Sequence, residues 1–261
     1  MYPAMACDEL IALTIAHEYT PRWLSLEGGG DERLRLPIIA VLAHSDAGWA
    51  LLDTGISPAL REPALGEAIY RGRGPDIPGV GHPLVAAMDA AGVAVGDIAI
   101  AAVSHLHVDH SGGLPLLAGG PPVVVQAREL AFARSPAAPG AAYLVEDYAD
   151  PEIAWRIIDG DDAIAPGIDA VFTPGHTPGH MSYRVRMRDG ATWLFAMDAI
   201  DLQEGIEGDT PIGYSADPAD APLRRTSHDL LVALAAAEGA RLVPGHCPVT
   251  WPPVGLRSAA A

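Results

Sequence analysis

Four side chains able to bind a metal ion stand within six residues at His105-Leu-His107-Val-Asp109-His110. Three more follow at a distance: His176 in Thr-Pro-Gly-His-Thr-Pro-Gly-His, Asp198 in Ala-Met-Asp-Ala, and His246 in Val-Pro-Gly-His. Imidazole nitrogen and carboxylate oxygen suit zinc, with manganese, iron or cobalt also compatible. The two cysteines, Cys7 and Cys247, lack zinc-knuckle spacing and read as reduced thiols, so the set points to a catalytic rather than a structural site. Seven ligands are enough for two divalent ions. In an irregular loop His105 and His107 point one way, while Asp109 and His110, one turn later, point towards a neighbouring position. Asp198 offers two oxygens and is the natural bridge, with His176 and His246 completing the separate sites. Two ions about 3.5–4 Å apart can share a water, lower its pKa towards neutrality and polarise the carbonyl or phosphoryl it attacks. The reaction class is therefore hydrolysis. No separate nucleophile is required, and the chain has no Gly-x-Ser-x-Gly elbow.

The remaining candidates carry weaker signals. His17, His44, His82 and His228 read as surface or hydrogen-bonded core residues. His180 repeats the Pro-Gly-His pattern of His176 and reads as support for a ligand rather than a ligand. Asp53, in Asp-Thr-Gly at a strand end, either orients a ligand histidine or is a turn carboxylate. Cys247, next to His246, reads as a small buried hydrophobe.

These residues need a scaffold that gathers them, and the apolar pattern supplies one. Residues 36–42 and 48–53 flank Ser45-Asp46-Ala47 as a hairpin, and 183–188 and 192–196 form a second around Asp189-Gly190. Residues 98–103, 122–126, 170–173 and 240–243 read as continuous buried strands. Residues 83–91, 127–133 and 221–238 have helical composition, the last stopped by Gly239. Every candidate ligand follows a strand, so distant residues can meet on one rim of a sheet. Stretches 57–82 and 203–222, rich in Gly and Pro, read as long surface loops. There is no linker and no internal repeat. The expected architecture is α/β (α+β), two mixed β-sheets with helices outside, in a single domain over 1–261.

Composition excludes several partners. The 261 residues are 49% hydrophobic and 19% charged, ample for a sizeable core, and no apolar run reaches the length of a membrane span. A formal charge of −17 and the absence of Lys, all sixteen basic residues being Arg, argue against nucleic acid. The N-terminus lacks a basic segment followed by an apolar one, so the expected location is the cytoplasm. The expected partner is a small-molecule substrate, with no nucleic acid and no membrane; a homodimer is compatible.

At these residues the chain resembles the metallo-β-lactamase superfamily: His-Leu-His-Val-Asp-His-Ser-Gly-Gly at 105–113, His176, Asp198 and Gly245-His246 fall in that family's order. The resemblance implies a four-layer αββα sandwich with a dimetal site at one edge of the two sheets. Within the superfamily the chain is most similar to the N-acyl homoserine lactonase branch, through Asp53-Thr54-Gly55, the 105–113 run, residues 173–180 and Asp198-Ala199. By that resemblance one metal, most simply zinc, takes His105, His107 and His176, the other takes Asp109, His110 and His246, and Asp198 bridges. A lactone or similar small carboxylic ester would be opened by hydroxide, the function of a quorum-quenching enzyme, with Asp109, Asp198 and Asp201 as the catalytic carboxylates. Many lactonases of this branch carry a tyrosine three residues after the bridging aspartate, where this chain has Asp201. Tyr183 or Tyr214 could substitute, though each reads first as a structural aromatic; a carboxylate there would repel anions or grip a cationic or hydroxylated substrate. A glyoxalase-II-like thioesterase is the enzyme alternative, but the segment after His246 is poor in the basic residues its carrier would need. A β-lactamase would usually be exported, and a phosphodiesterase would need a basic surface. A non-catalytic metal-binding scaffold is disfavoured because all seven ligand positions hold competent residues.

Overall fold

The computed structural model describes residues 6–138 and 142–261. Its first element is a long strand, β1 (Glu9–Pro21), followed by a single helical turn, α1 (Arg22–Ser25), and the hairpin β2 (Arg33–Ser45) and β3 (Gly48–Leu52). Then come α2 (Pro63–Tyr70), α3 (Pro83–Ala91), β4 (Ile98–Ala102), α4 (Val108–Ser111), β5 (Val123–Gln126), α5 (Ala127–Ala133), α6 (Val145–Tyr148) and β6 (Trp155–Ile158). The second half holds β7 (Asp162–Ala165), β8 (Ile168–Phe172), β9 (Met181–Arg186), β10 (Thr192–Met197), α7 (Gln203–Glu207), α8 (Leu223–Glu238), β11 (Arg241–Pro244) and β12 (Arg257–Ala260).

The strands form two mixed sheets. One has the order β12-β1-β2-β3-β4-β5-β6, the other β11-β10-β9-β8-β7. Strand alternation assigns each sheet two buried faces. In β2, Ile39, Val41 and Ala43 pack between the sheets against Tyr183, Val185 and Phe195 of the second sheet. Ile38, Ala40 and Leu42 face the other way, onto Leu84 and Met88 of α3 and Leu130 of α5. The second sheet turns Val171, Leu194 and Ala196 outward onto Leu231 of α8. The result is the α/β/β/α layering expected from the sequence. On β9 the arginines that alternate with buried residues are paired: Arg184 and Arg186 both donate to Asp169 Oδ2 of the neighbouring strand, at 2.8 and 2.5 Å.

Both hairpins and the helices at 83–91 and 127–133 form where the pattern places them, and the helix expected over 221–238 begins at Leu223 and ends at Gly239, whose φ of 63° is left-handed. Two expectations are corrected. The stretch 57–82 holds α2, and 203–222 holds α7, so neither is simply a loop. Gly66 inside α2 and Gly205 inside α7 hid them; both are packed tightly, with Leu60 O and Thr210 O each 3.0 Å from where a Cβ would stand. Strand β1 carries no alternation because its apolar residues serve both faces: Leu10 and Ala12 lie between the sheets, Ile11 and Leu13 under the helices. Among the described residues no helix is long and apolar enough to cross a membrane.

The helices below the rim bring a buried acid with them. Asp147 of α6 is 2% exposed, and its Oδ2 accepts the Ser111 hydroxyl at 3.1 Å. Burial pushes its carboxyl up to about 7 against that hydrogen bond. Between roughly pH 4 and 7 the unfolded chain therefore releases a proton that the folded chain retains, so stability falls as pH rises through this window and levels off above it. Asp147→Asn, which keeps an acceptor for Ser111 without the buried charge, should gain stability over the parent as pH is raised from 5 to 8, by roughly 2 kcal/mol. Thermal melts across that range check it; parallel Tm profiles for the two proteins would show that the acid is relieved by other means.

Candidate metal centre

All seven sequence-predicted ligands arrive at one rim. His105 and His107 follow β4, Asp109 and His110 lie on α4, His176 is in the β8–β9 loop, Asp198 follows β10 and His246 follows β11. The two sheets are joined there, since the Met181 N–H that begins β9 donates to Ser104 O after β4 at 3.0 Å. Each of the seven residues is at most 8% exposed.

The ligand atoms fall into two groups around Asp198. His107 Nδ1 stands 2.9 Å from His105 Nε2 and 3.0 Å from His176 Nε2, and Asp198 Oδ2 is 3.3 Å from His176 Nε2. On the other side Asp198 Oδ1 is 3.1 Å from His110 Nε2 and 3.0 Å from His246 Nε2, with Asp109 Oδ2 3.4 Å from His110 Nε2. One carboxylate thus presents one oxygen to each group. The spacings match the edges, about 3.4 Å, of a tetrahedron whose corners lie about 2.1 Å from its centre, the usual zinc–nitrogen and zinc–oxygen distance. A single proton on His107 Nδ1 cannot serve both neighbouring nitrogens, so three lone pairs converge on one point. The residues fit a pair of divalent cations.

The far sides of three of the five rings are held. His110 Nδ1 lies 2.6 Å from Asp53 Oδ2, His246 Nδ1 2.8 Å from Pro37 O, and His105 Nδ1 3.0 Å from the Ser104 hydroxyl. Such partners fix which nitrogen faces the ion. Asp53 is fully buried at φ 59°, a left-handed conformation that aspartate tolerates better than most residues. Its carboxylate also accepts Ser104 N–H and O–H, at 2.6 and 2.8 Å, and the Tyr183 hydroxyl at 3.0 Å. Asp53 therefore orients His110, and Tyr183 serves Asp53 rather than the cavity. His180 is likewise supporting: its Nε2 accepts the Asp198 N–H at 3.1 Å while Nδ1 meets Thr173. Just before Asp198, Met197 has φ 47°, a strained conformation for a bulky residue that persists because β11 packs on it. Gly245 closes that contact, since a Cβ there would lie 2.5 Å from Met197 O.

The remaining histidines are structural, as read: His44 meets Asp8, His82 caps α3, His228 Nε2 meets Gly205 O and His17 pairs through its backbone with Asp76. Cys247 is buried with Leu36 and Leu202.

Sequence reasoning missed Glu129, which is fully buried on α5. Its Oε1 accepts the Leu106 N–H at 2.9 Å and the Tyr143 hydroxyl at 2.6 Å; its Oε2 accepts the Thr177 hydroxyl at 2.6 Å and the Gly179 N–H at 3.1 Å. Leu106 lies between two ligand histidines, and Thr177 follows a third. Gly179 is required, since a Cβ there would stand 2.1 Å from the Glu129 nitrogen.

Electrostatically the two groups differ. Burial, unopposed by enough negative charge, holds His105 and His176 well below the usual imidazole value and His107 at about 4. Burial works the same way on His110 and His246, but Asp198 and its acidic neighbours outweigh it and hold both well above that value. Burial opposes ionisation of Asp198, and the histidines around it overcome this and hold it well below the usual carboxylate range. The centre opens into a cavity of about 480 Å³ lined by His107, Asp109, His176 and Asp198 together with Glu18, Ser25, Tyr70, Asp201 and Tyr214. Asp201 is 6% exposed, with its carboxyl raised by burial and by Asp198. Glu18, at the end of β1 beyond a bulge between Thr14 and Ala16, is raised by burial and Asp109 to about 8.

Comparison with known proteins places this geometry. The metallo-beta-lactamase superfamily model matches residues 35–246. The N-acyl homoserine lactonase AttM of Azorhizobium caulinodans is 31% identical over 64% of this chain, and the match spans 65% of that relative's length. An N-acyl homoserine lactonase from Bacillus cereus is 28% identical over 74% of this chain and 76% of its own. A solved N-acyl homoserine lactone hydrolase, with the product N-hexanoyl-L-homoserine at its catalytic metal center, superposes with a TM-score of 0.82 at 24% identity, covering 94% of this chain and 95% of that one.

Replacing Glu129 by Ala strands four donors and frees two ligand-bearing loops, at a cost of about 3 kcal/mol or more. Glu129→Ala should lower Tm by roughly 6–12 °C and reduce bound metal, while Glu129→Gln keeps part of both. Differential scanning calorimetry with metal analysis checks this; a Tm within about 2 °C of the parent would mean that other contacts hold the loops.

Proposed function

Because this chain belongs to the metallo-beta-lactamase superfamily, we propose that it is a dinuclear metal-dependent hydrolase that opens lactones or closely related small carboxylic esters. The carrying observation is the placement of Asp198 with one oxygen towards each of two histidine groups. The curated relatives named as N-acyl homoserine lactonases support the lactone class and a role in quorum quenching.

His105, His107 and His176 would hold one ion, Asp109, His110 and His246 the other, and Asp198 both; zinc is the ion best suited to this mixture of imidazole and carboxylate. When bound, such ions supply Lewis acidity to a carbonyl and bring the pKa of water towards neutrality. The protein's own groups do the rest. Asp53, Pro37 and Ser104 fix the ring orientations so that no reorganisation is needed when substrate arrives. Asp109, which lines the cavity, would accept the proton of the attacking water and return it to the alkoxide oxygen released by ring opening. Asp201, on the same wall, hydrogen-bonds the substrate beside the reacting carbonyl. The cavity walls exclude bulk water, which strengthens each of these interactions. In this reading the substrate is a diffusible small molecule of the cytoplasm; the net charge of −17 makes phosphodiesters poor partners.

Metal-replete protein should contain about two ions per chain and, over a panel of lactones, thioesters, β-lactams and phosphodiesters, should show its highest kcat/KM on lactones. His107→Ala or Asp109→Ala should lower that value by about a thousandfold or more with the fold intact by circular dichroism. Thioesters ranking first, or turnover unchanged in either variant, would overturn the assignment.

A further inference from the structure

Six buried side-chain polar atoms among the described residues lack a hydrogen-bond partner in good geometry, and five of them belong to residues that line the cavity beside the metal centre. Two, His107 Nε2 and His176 Nδ1, are on rings of the metal centre. The other three are Ser25 Oγ at the end of α1, Tyr70 Oη at the end of α2 and Asp201 Oδ1 after β10. They come from three separate segments and share one wall: the Ser25 hydroxyl lies within interaction range of the Asp201 carboxyl and the Tyr70 phenol within range of that of Glu18, yet neither contact reaches the geometry of a full hydrogen bond.

Unpaired buried polar groups are rare because each forfeits its hydrogen bonds to water, so three on one wall call for a complement. That complement is a substrate or the water it displaces, and a substrate that expels such water without replacing its hydrogen bonds binds worse. The wall offers acceptors in Asp201 and Glu18 and donors in the Ser25 and Tyr70 hydroxyls. A cationic substituent would satisfy only the acceptors, and an anionic one would meet four carboxyl groups, Glu18, Asp109, Asp198 and Asp201. Arg33, which also lines the cavity, is turned to backbone carbonyls: its guanidinium donates to Tyr19 O at 2.7 Å and to Arg71 O at 3.1 Å. A hydroxyl donates and accepts at once and carries no charge.

We infer that the wall formed by Glu18, Ser25, Tyr70 and Asp201 selects lactones that carry hydroxyl groups beyond the reacting ester. This narrows the substrate class within the lactone-hydrolase reading and rests on it. Hydroxyls on the lactone ring and hydroxyls on an attached acyl chain present the same chemistry, so both sources are to be tested.

The experiment compares matched pairs on the metal-replete protein: D-ribono-1,4-lactone against γ-butyrolactone for the ring, and N-(3-hydroxyhexanoyl)- against N-hexanoyl-homoserine lactone for the chain. In at least one pair the hydroxylated member should have the higher kcat/KM, by about tenfold or more. Ser25→Ala and Tyr70→Phe each delete one hydroxyl whose contact in the free protein falls short of a well-formed hydrogen bond, so both should fold, and each should shrink the ratio at least threefold. Ratios near one in both pairs, or ratios unmoved in both variants, overturn the inference while leaving lactone hydrolysis standing. Failure to turn over any lactone removes the hydrolase reading, and this inference with it.

Discussion

The centre depends on a carboxylate that touches no ligand atom. Glu129 stands where the loop after β4, from the first sheet, meets the β8–β9 loop, from the second, and each of its oxygens takes two donors. A buried carboxylate without partners would be among the costliest groups in the fold, and with four donors it becomes a clamp whose strength rises in the low local dielectric. Both loops carry histidines of the same group, so the spacing of His105 and His107 from His176 follows from this clamp. Asp53 does the corresponding work for the second group: it holds His110 directly and Ser104 beside it, and Tyr183 reaches it from the other sheet. Two acids, one on a helix and one at a strand end, thereby convert a meeting of two sheets into a fixed arrangement of donors.

The halves of that arrangement are electrostatically unequal. The group of three histidines is dominated by desolvation, so its rings are neutral and offer lone pairs. In the other group, burial is outweighed by nearby acids: Asp198, Asp109 and Asp53 hold His110, and Asp198, Asp201 and Glu18 hold His246, towards the protonated state in the absence of a cation. Binding of a divalent ion reverses that direction, since its charge replaces the proton's. A cation taken up at the second group would therefore displace protons that the neutral rings of the first do not carry. Surface ion pairs such as Arg225 with Asp229 have no part in this balance.

The ligand set was legible because its chemistry is local in sequence or marked by repeats: four ligands in six residues, and Pro-Gly-His at 174–176 and again at 244–246. The scaffold was legible where one face of a strand is wet, as at Tyr183, Val185 and the arginines between them, or where a turn residue such as Gly190 announces a hairpin. Legibility failed where both faces of an element are buried, as in β1, and where a glycine needed for close packing breaks a helical pattern, as in α2 and α7. Edge strands β6, β7 and β12 are four residues each, too short for a period to register. Glu129 was invisible for a different reason. In Ala-Arg-Glu-Leu it has the pattern of an ordinary helical acid, and only the approach of two distant loops gives it four donors.

Reaction and selectivity leave different physical traces in this chain. Side chains that bind a shared ion must be complementary to one another, so their lone pairs converge and the pattern can be seen first as spacing and then as distance. Side chains that recognise a substrate need be complementary only to it, so in the free protein they are distinguished by what they lack: Ser25, Tyr70 and Asp201 are ordinary residues in sequence and become informative through hydrogen bonds not made. Glu18 belongs with them. A bulge in β1 carries a carboxyl group from a core strand into the cavity, where an apolar residue would pack at no electrostatic cost. Retaining an acid there, in a cavity that already holds Asp109, Asp198 and Asp201, is unfavourable for the fold alone, which places Glu18 with the residues inferred to meet the substrate rather than with those that build the core.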